Sequence, residues 1–265
     1  MRYIIDHDYH IHSQLSECSS HPEQTNENIL KYAQKNGLKK ICLTDHFWDE
    51  IVGNPSDWYR PQDFAHICKA LPLPKDDEVE FLFGCETDFD KLFRVGVSEE
   101  RLDKFDFIII PTTHLHMPGF TIDEKDFSVE NRAKLWVERL DKLFEYNLPW
   151  KKIGLAHLAC SLMAPSSRED YLRTLELIPT EEMQRIFEKA AELGVGIEIN
   201  STDMRFSENE ADAILRMFRI AKEKGCRFYL GSDSHNPRGF ENAITLFNRG
   251  IDYIGLTEDD KFHIG

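Results

Sequence analysis

Histidine and carboxylate residues recur in this sequence at spacings that suit metal binding. Two pairs stand two positions apart, in His10-Ile11-His12 and in Asp233-Ser234-His235. In an extended chain, residues two apart point to the same side at a separation of about 6.6 Å, so both members of a pair can approach one ion. Imidazole and carboxylate together suit Zn²⁺, Fe²⁺ or Mn²⁺, whereas Mg²⁺ and Ca²⁺ prefer more oxygen ligands.

Four further candidates each follow a short apolar run. They are His46 in Thr44-Asp45-His46, Glu86 in Gly84-Cys85-Glu86, His114 after Thr113, and His157 after Ala156. A single histidine in such a place is more often a hydrogen-bonded or half-exposed residue than a ligand. The agreement among five or six strand ends favours one common site. Because these residues outnumber the ligands of one ion, the pattern predicts two or three ions, with the Glu86 carboxylate able to bridge two of them.

The elements that position these residues alternate between strands and helices. The predicted strands are Tyr3–Asp8, Lys40–Thr44, Glu80–Gly84, Asp106–Pro111, Ile153–Ala156, Gly196–Asn200 and Arg227–Gly231. The predicted helices include Thr25–Asn36, Glu130–Glu145, Thr180–Leu193 with Thr180 as its N-cap, and Glu208–Lys224. Strand–helix alternation predicts parallel βαβ units. We expect an α/β fold, a distorted seven-stranded TIM-like (βα) barrel in one domain, residues 1–265, with the metal site at the carboxyl ends of its strands.

Two irregular stretches follow strand ends, where barrel enzymes keep their substrate loops. Residues 47–63 contain Trp48, Trp58, Tyr59 and two prolines. Residues 158–179 contain Arg168. We expect these stretches to shape the substrate pocket.

Composition excludes several classes of partner. The formal net charge of −15 argues against binding of nucleic acid, because a protein needs basic residues to neutralise the phosphates of the backbone. It argues equally against binding to anionic membranes. No apolar run approaches the ~20 residues of a transmembrane helix, and the start of the chain lacks the features of a signal peptide. The six cysteines are scattered without a CxxC pair, which is typical of reduced thiols. The sequence therefore predicts a cytoplasmic protein.

With these residues in view, the chain resembles the PHP (polymerase and histidinol phosphatase) superfamily of metal-dependent phosphoesterases. The resemblance implies a distorted seven-stranded barrel with a trinuclear site. It implies a first metal held by His10, His12, Glu86 and Asp233, a second held by Glu86, His114 and His157, and a third held by His46, His235 and one residue of the loop after the first strand. For that last ligand we choose His21, with Cys18 as the less favoured alternative.

The resemblance also implies a reaction, the hydrolysis of a small phosphomonoester by attack of metal-activated hydroxide. Arg205, which follows Glu198-Ile199-Asn200, is predicted to bind the phosphate bidentately, ahead of Arg168 and Arg238. Asp233 or His235 is the candidate general acid. L-histidinol phosphate is the leading substrate, although the segment Asp45-His46-Phe47-Trp48-Asp49 departs from the Glu-His-Ala-Pro associated with histidinol phosphatases.

Three other functions stay open at this point. One is a metal-dependent nuclease or phosphodiesterase, against which the acidic charge weighs. Another is an amide or ester hydrolase, for which the arginines would have no phosphate to bind. The least favoured is a non-catalytic metal-binding protein, whose sites would be closed.

Overall fold

A parallel β-barrel forms the centre of the molecule in the computed structural model, which describes residues 1–19 and 21–265. Its strands are β1 (His7–Ile11), β2 (Lys40–Leu43), β3 (His46–Phe47), β4 (Glu80–Thr87), β5 (Phe107–Pro111), β6 (Ile153–Ala156), β7 (Gly196–Asn200) and β8 (Arg227–Gly231). All strand pairs are parallel, in the order β1-β2-β4-β5-β6-β7-β8. The two-residue β3 pairs only with β4, at its carboxyl end. The predicted fold of seven parallel strands is confirmed.

The gap between the first and last strands is nearly closed at the carboxyl end. The backbone N–H of Asp233 donates to the His10 carbonyl at 2.7 Å, and that of His12 donates to the Ser234 carbonyl at 3.1 Å. The pair His10 and His12 therefore lies beside the pair Asp233 and His235, because β1 and the segment after β8 run in register at this point.

Within residues 1–19 and 21–265, seven α-helices accompany the strands. They are α1 (Asn26–Asn36), α2 (Phe64–Ile67), α3 (Val129–Leu143), α4 (Arg168–Leu177), α5 (Thr180–Leu193), α6 (Ala211–Glu223) and α7 (Pro237–Ile254). Each of the long helices buries one apolar face against the barrel, as Met183, Ile186, Phe187 and Ala190 do in α5. In the part of the chain that the structure describes, no helix has the length and apolar character to span a membrane.

Aromatic side chains from several strands fill the barrel interior. Tyr9, Phe107 and Tyr229 are buried, and the Phe107 and Tyr229 rings lie 5.1 Å apart. Gly154 makes room for them, because a Cβ there would lie 2.5 Å from Phe107 Cζ and 2.6 Å from the Tyr229 hydroxyl. This layer of packed aromatic rings lies next to the polar residues at the carboxyl ends of the strands.

Three local predictions are wrong. Strand β1 starts at His7 rather than Tyr3 and runs to Ile11, because the chain before it bonds to the C-terminal segment, with the Tyr3 N–H donating to the Leu256 carbonyl. Helix α5 is capped by Pro179, so Thr180 is its first residue and not its N-cap. The stretch 158–179 is not wholly irregular, since Ser167 caps α4 with its side chain.

Candidate metal centre

The carboxylate of Glu86 lies at the centre of the predicted ligands. Pairing of β3 with β4 sets His46 opposite Glu86 in register. Oε2 of Glu86 lies 3.3 Å from His10 Nε2, 3.2 Å from His12 Nε2 and 3.1 Å from His46 Nδ1. Oε1 lies 3.2 Å from His157 Nε2. The two oxygens of one buried carboxylate thus face different sets of histidines.

Two groups of donor atoms share this carboxylate. His10, His12, Glu86 and Asp233 form one group, and Glu86, His114 and His157 form the other; in each, the donor atoms lie within 4.8 Å of one another. In the first group, Oδ1 of Asp233 is 3.4 Å from His10 Nε2 and 3.2 Å from His12 Nε2. These are the residue sets that the motifs predict for a first and a second ion.

A third group contains His46 and His235, and its remaining member is His12. The His12 ring lies 4.1 Å from the His235 ring and 4.4 Å from the His46 ring, measured between centroids. The structure does not bring His21 into this group. His21 is exposed, and its Nδ1 accepts the backbone N–H of Glu23 at 3.2 Å. Cys18 lines the adjoining pocket but is not among the converging donors.

Backbone conformation also sets these residues apart. His157 and Asp233 have positive φ angles of 57° and 52°, and they follow β6 and β8 directly or after one residue. Such angles are uncommon for non-glycine residues and are found most often where a site holds the chain in place. Each turn directs its side chain back over the barrel mouth instead of along the strand.

Several residues that hold the predicted ligands were missed by sequence analysis. Oε1 of Glu198 lies 2.6 Å from His10 Nδ1, and Oε2 accepts the backbone N–H of His157 at 3.0 Å. The Ser16 hydroxyl lies 3.0 Å from His12 Nδ1 and donates to Asp45 at 2.7 Å. The signal that could have found Glu198 is its position in a buried strand, where a carboxylate needs partners.

A second such residue supports the other histidine pair. Oδ2 of Asp88 accepts the Tyr59 hydroxyl at 3.0 Å and lies 3.4 Å from His114 Nδ1. Asp88 is fully buried and is the first residue after β4, two positions beyond Glu86. Carboxylates that bond the outer nitrogen of a ligating histidine fix its orientation.

The electrostatics of the cluster are those of a site that attracts positive charge. Burial lowers the pKa of His10, but the neighbouring carboxylates, Glu198 first, hold that pKa well above its ordinary value. Burial raises the pKa of Glu86, but the charges of His10 and His46 hold it well below its ordinary value. Burial keeps the pKa of His46 itself well below the ordinary value. A lowered pKa favours the neutral imidazole, the form that binds metal.

The residues fit divalent cations. Oε2 of Glu86, Oδ1 of Asp233 and Nδ1 of His46 are buried and have no hydrogen-bond partner among the described residues. Nε2 of His10 and Nε2 of His12 face each other at 3.0 Å, a separation at which two lone pairs repel unless a proton or a metal lies between the rings and their carboxylates. Unpartnered buried acceptors are costly, and nitrogen with carboxylate oxygen is a donor set that Zn²⁺, Mn²⁺ or Fe²⁺ takes.

A cavity of about 640 Å³ opens above the cluster. Its walls include Trp58, Tyr59 and Tyr171, and the Trp58 ring packs edge-on against His46 at 4.8 Å. Arg168 and Arg205 line it, and both are exposed. Arg238, the other predicted candidate, is not among the lining residues. The cavity therefore combines a metal-type cluster with two guanidinium groups, which suits an anionic ligand.

Known proteins resemble this chain over most of its length. Residues 8–202 match the model of the PHP domain family. A protein of Caldanaerobacter subterraneus named "Probable phosphatase" is 28% identical over 251 residues, covering 93% of this chain and 83% of the relative. A protein of Thermoanaerobacter sp. with the same name is 27% identical over 265 residues, covering 98% of this chain and 89% of the relative.

One solved structure shares the fold. It is the histidinol phosphate phosphatase of Lactococcus lactis, complexed with zinc, L-histidinol and phosphate, which superposes with a TM-score of 0.58 at 18% identity, covering 94% of both chains. A nearly closed parallel barrel with a His/Glu/Asp cluster at its carboxyl face defines the class, a metal-dependent hydrolase of the barrel type. The chain belongs to the PHP family, the metal-dependent phosphoesterases.

Proposed function

We propose that this protein is a phosphomonoesterase that uses three divalent ions, and that L-histidinol phosphate is its leading substrate. The observation that supports it most is the position of Glu86, whose two oxygens belong to two groups of donors in a cavity that two arginines also line. Ions that share a carboxylate in this manner suit displacement at phosphorus, and guanidinium groups suit the phosphate oxygens.

The proposal assigns the ligands by group. The first ion would be held by His10, His12, Glu86 and Asp233, the second by Glu86, His114 and His157, and the third by His46 and His235. When bound, such ions lower the pKa of a coordinated water toward ~7 and neutralise phosphate oxygens. The protein keeps the ligands in place through Glu198, Asp88 and Ser16, whose contacts with the outer ring nitrogens fix the imidazoles.

Arg205 and Arg168 are assigned to the phosphate. Arg205 forms no ion pair with another described residue, so its guanidinium is available to a ligand. Arg168 donates to Glu210 at 2.7 Å, with its guanidinium 4.8 Å above the Tyr171 ring, which holds it beside the cavity. The leaving alcohol needs a proton. The two predicted donors, Asp233 and His235, are assigned here to the ions, so neither is free to supply that proton while the ions are bound.

The substrate is inferred from size and from likeness. The cavity of about 640 Å³ is large enough for a small phosphorylated molecule. It is lined in part by aromatic rings that suit a flat group such as imidazole. The fold neighbour from Lactococcus lactis is named for histidinol phosphate. The aromatic segment around Trp58 is the part of the cavity wall that could favour a small phosphate ester other than L-histidinol phosphate.

The test is release of inorganic phosphate from a panel that includes L-histidinol phosphate, O-phosphotyrosine, a nucleoside monophosphate and a phosphodiester. The protein is stripped of metal and then assayed with and without added Mn²⁺ or Zn²⁺. We expect metal-dependent release that is strongest with L-histidinol phosphate. Release from the diester alone would favour a phosphodiesterase, and hydrolysis only of amides or esters of carboxylic acids would overturn the proposal.

A further inference from the structure

The carboxyl group of Asp203 has no role in the metal cluster, although it lies in the same cavity. Asp203 follows β7 by three residues, lines the cavity with Arg205 and Tyr171, and is only 6% exposed. It belongs to none of the groups of converging donors. A backbone contact with Ala159 lowers the pKa of this carboxyl group and so partly offsets the effect of burial.

One carboxylate oxygen of Asp203 lacks a partner. Oδ2 is buried and accepts no hydrogen bond from any described residue, and no basic side chain of the described residues forms an ion pair with Asp203. Arg168, the neighbouring cation, pairs with Glu210 instead. A buried carboxylate oxygen without a donor destabilises the folded protein. Such a group is retained where something else supplies the donor.

The charged groups around Asp203 explain why the missing donor should be a cation. Burial raises the pKa of Asp203 to about 7; the charge of His157 opposes this rise, whereas the charges of Glu198 and Asp233 add to it. The divalent ions that we propose would offset the charges of Glu86 and Asp233 but would leave Asp203 without a contact. A protonated amine or imidazole would supply both a donor and the balancing charge.

We propose that Asp203 is a specificity-determining residue that binds a cationic N–H group of the substrate, so that the enzyme selects phosphomonoesters of amino alcohols. The proposal rests on the phosphomonoesterase function above and names its substrate class. Two residues of one loop then divide the recognition. Arg205 binds the phosphate and Asp203 binds the amine, and a zwitterionic ester satisfies both.

Surrounding apolar atoms strengthen the selection. Leu162, Met117 and Tyr171 line the same cavity, and the Tyr171 hydroxyl is bonded to the Ala159 carbonyl at 2.5 Å, so it is not available to Asp203. A contact between an ammonium group and a carboxylate that excludes water is worth more than an exposed one. An ester without the amine would leave Asp203 as unpartnered as it is in the free protein.

The experiment uses two pairs of esters that differ only in the amine. One pair is L-histidinol phosphate and 3-(imidazol-4-yl)propyl phosphate, and the other is O-phosphoethanolamine and ethyl phosphate. The metal-loaded wild type is compared with Asp203→Asn, and with Asp212→Asn as a matched control on the exposed face of α6. kcat and KM are measured for each ester, together with metal content and Tm.

We expect the wild type to prefer the amine-bearing ester by at least about tenfold in kcat/KM, in one or both pairs. Asp203→Asn should lose that preference through a higher KM for the amine-bearing ester alone, with unchanged metal content. Its Tm should be equal or higher, because burial disfavours the ionised carboxyl group that the neutral amide replaces. Asp212→Asn should behave as the wild type.

Four results would overturn the inference. Equal losses for both members of a pair would show that Asp203 only supports the fold, and an unchanged preference in Asp203→Asn would show that another group binds the amine. A wild type that hydrolyses other monoesters without any preference for an amine rejects the inference while the phosphomonoesterase function stands; this result needs no folded variant. If no monoester at all is hydrolysed, the proposed function fails and the inference fails with it.

Discussion

The Nδ1 atom of His10 lies 2.6 Å from Oε1 of Glu198, and both side chains are buried. This contact turns Nε2 of His10 toward His12 and Glu86. The second oxygen of Glu198 accepts the backbone N–H of His157 at 3.0 Å. One carboxylate on β7 therefore positions residues of two donor groups, although it belongs to no predicted ligand motif.

Replacement of Glu198 should weaken metal binding without removing a proposed ligand of the three ions. We expect Glu198→Ala to lower the affinity for Zn²⁺ or Mn²⁺ by about 10–100-fold, because His10 loses the partner that fixes its ring. Glu198→Gln, which keeps an acceptor, should lose less. Titration against a chromophoric chelator measures the affinity. Glu223→Ala on the exposed face of α6 is the control, and an unaltered affinity in Glu198→Ala would contradict the role.

The composition of the third group can be tested by metal content. Since His46 converges with His12 and His235 whereas His21 is exposed, we expect His46→Asn to lose about one ion per chain and His21→Asn to lose none. Inductively coupled plasma spectrometry on dialysed protein gives the count. The reverse pattern would restore His21 as the ligand and would require the loop after β1 to close over the site.

Arg205 should matter for substrates with a phosphate. Loss of a charge-assisted hydrogen bond costs roughly 1.5–3 kcal/mol, so we expect Arg205→Ala to lower kcat/KM for a phosphomonoester by about 10–100-fold. The kcat/KM of Arg205→Lys should lie between those of the wild type and Arg205→Ala. Metal content should not change, because Arg205 is no ligand. Steady-state phosphate release measures the effect. Activity that survives in Arg205→Ala would favour hydrolysis of an amide or ester, in which no phosphate is bound.

Acid should destabilise the lower end of the barrel through His7. Nε2 of His7 accepts the Leu230 N–H at 3.1 Å, and Nδ1 lies 2.8 Å from Asp6, so the ring is held neutral. Burial, partly opposed by Asp6, lowers its pKa. A histidine with a lowered folded pKa contributes stability above its unfolded value of about 6.5, and that contribution is lost as the pH falls through the folded pKa.

The matched variant is His7→Gln, which does not titrate. We expect it to be less stable than the wild type by roughly 1–3 kcal/mol at pH 8, and we expect this difference to shrink as the pH is lowered to 5. Urea denaturation at several pH values measures both. The other histidines titrate in both proteins, so the difference isolates His7. A difference in the free energy of unfolding between the wild type and His7→Gln that stays constant with pH would contradict this role of His7.

Much of the barrel could be predicted from the sequence, because its inner strands are short apolar runs bounded by polar residues. Ile153–Ala156, Gly196–Asn200 and Arg227–Gly231 have the predicted bounds. The first strand was misplaced, since its alternation of Tyr, Ile and His does not distinguish a strand in the barrel from a segment that bonds to the C-terminal segment.

The site likewise contains residues that could be predicted from the sequence and residues that could not. His10, His12, Glu86 and Asp233 converge as their spacing predicts, because register across parallel strands brings carboxyl ends to one face. Burial in a strand marks Glu198 as a residue that needs a partner, but it does not say which partner. The contacts of Glu198 with His10 and of Asp88 with His114 join different strands and loops, so only the folded protein shows them. The two-residue β3, which sets His46 opposite Glu86, is too short to leave a periodic signal.

The measurement that tests the central claim most directly is phosphate release from L-histidinol phosphate as Zn²⁺ or Mn²⁺ is returned stepwise to metal-stripped protein, alongside Glu86→Gln. We predict no release without metal, recovery in step with the ions bound, and little recovery in Glu86→Gln, because that residue serves two donor groups. Full metal occupancy without release from this or any other phosphomonoester would contradict the account.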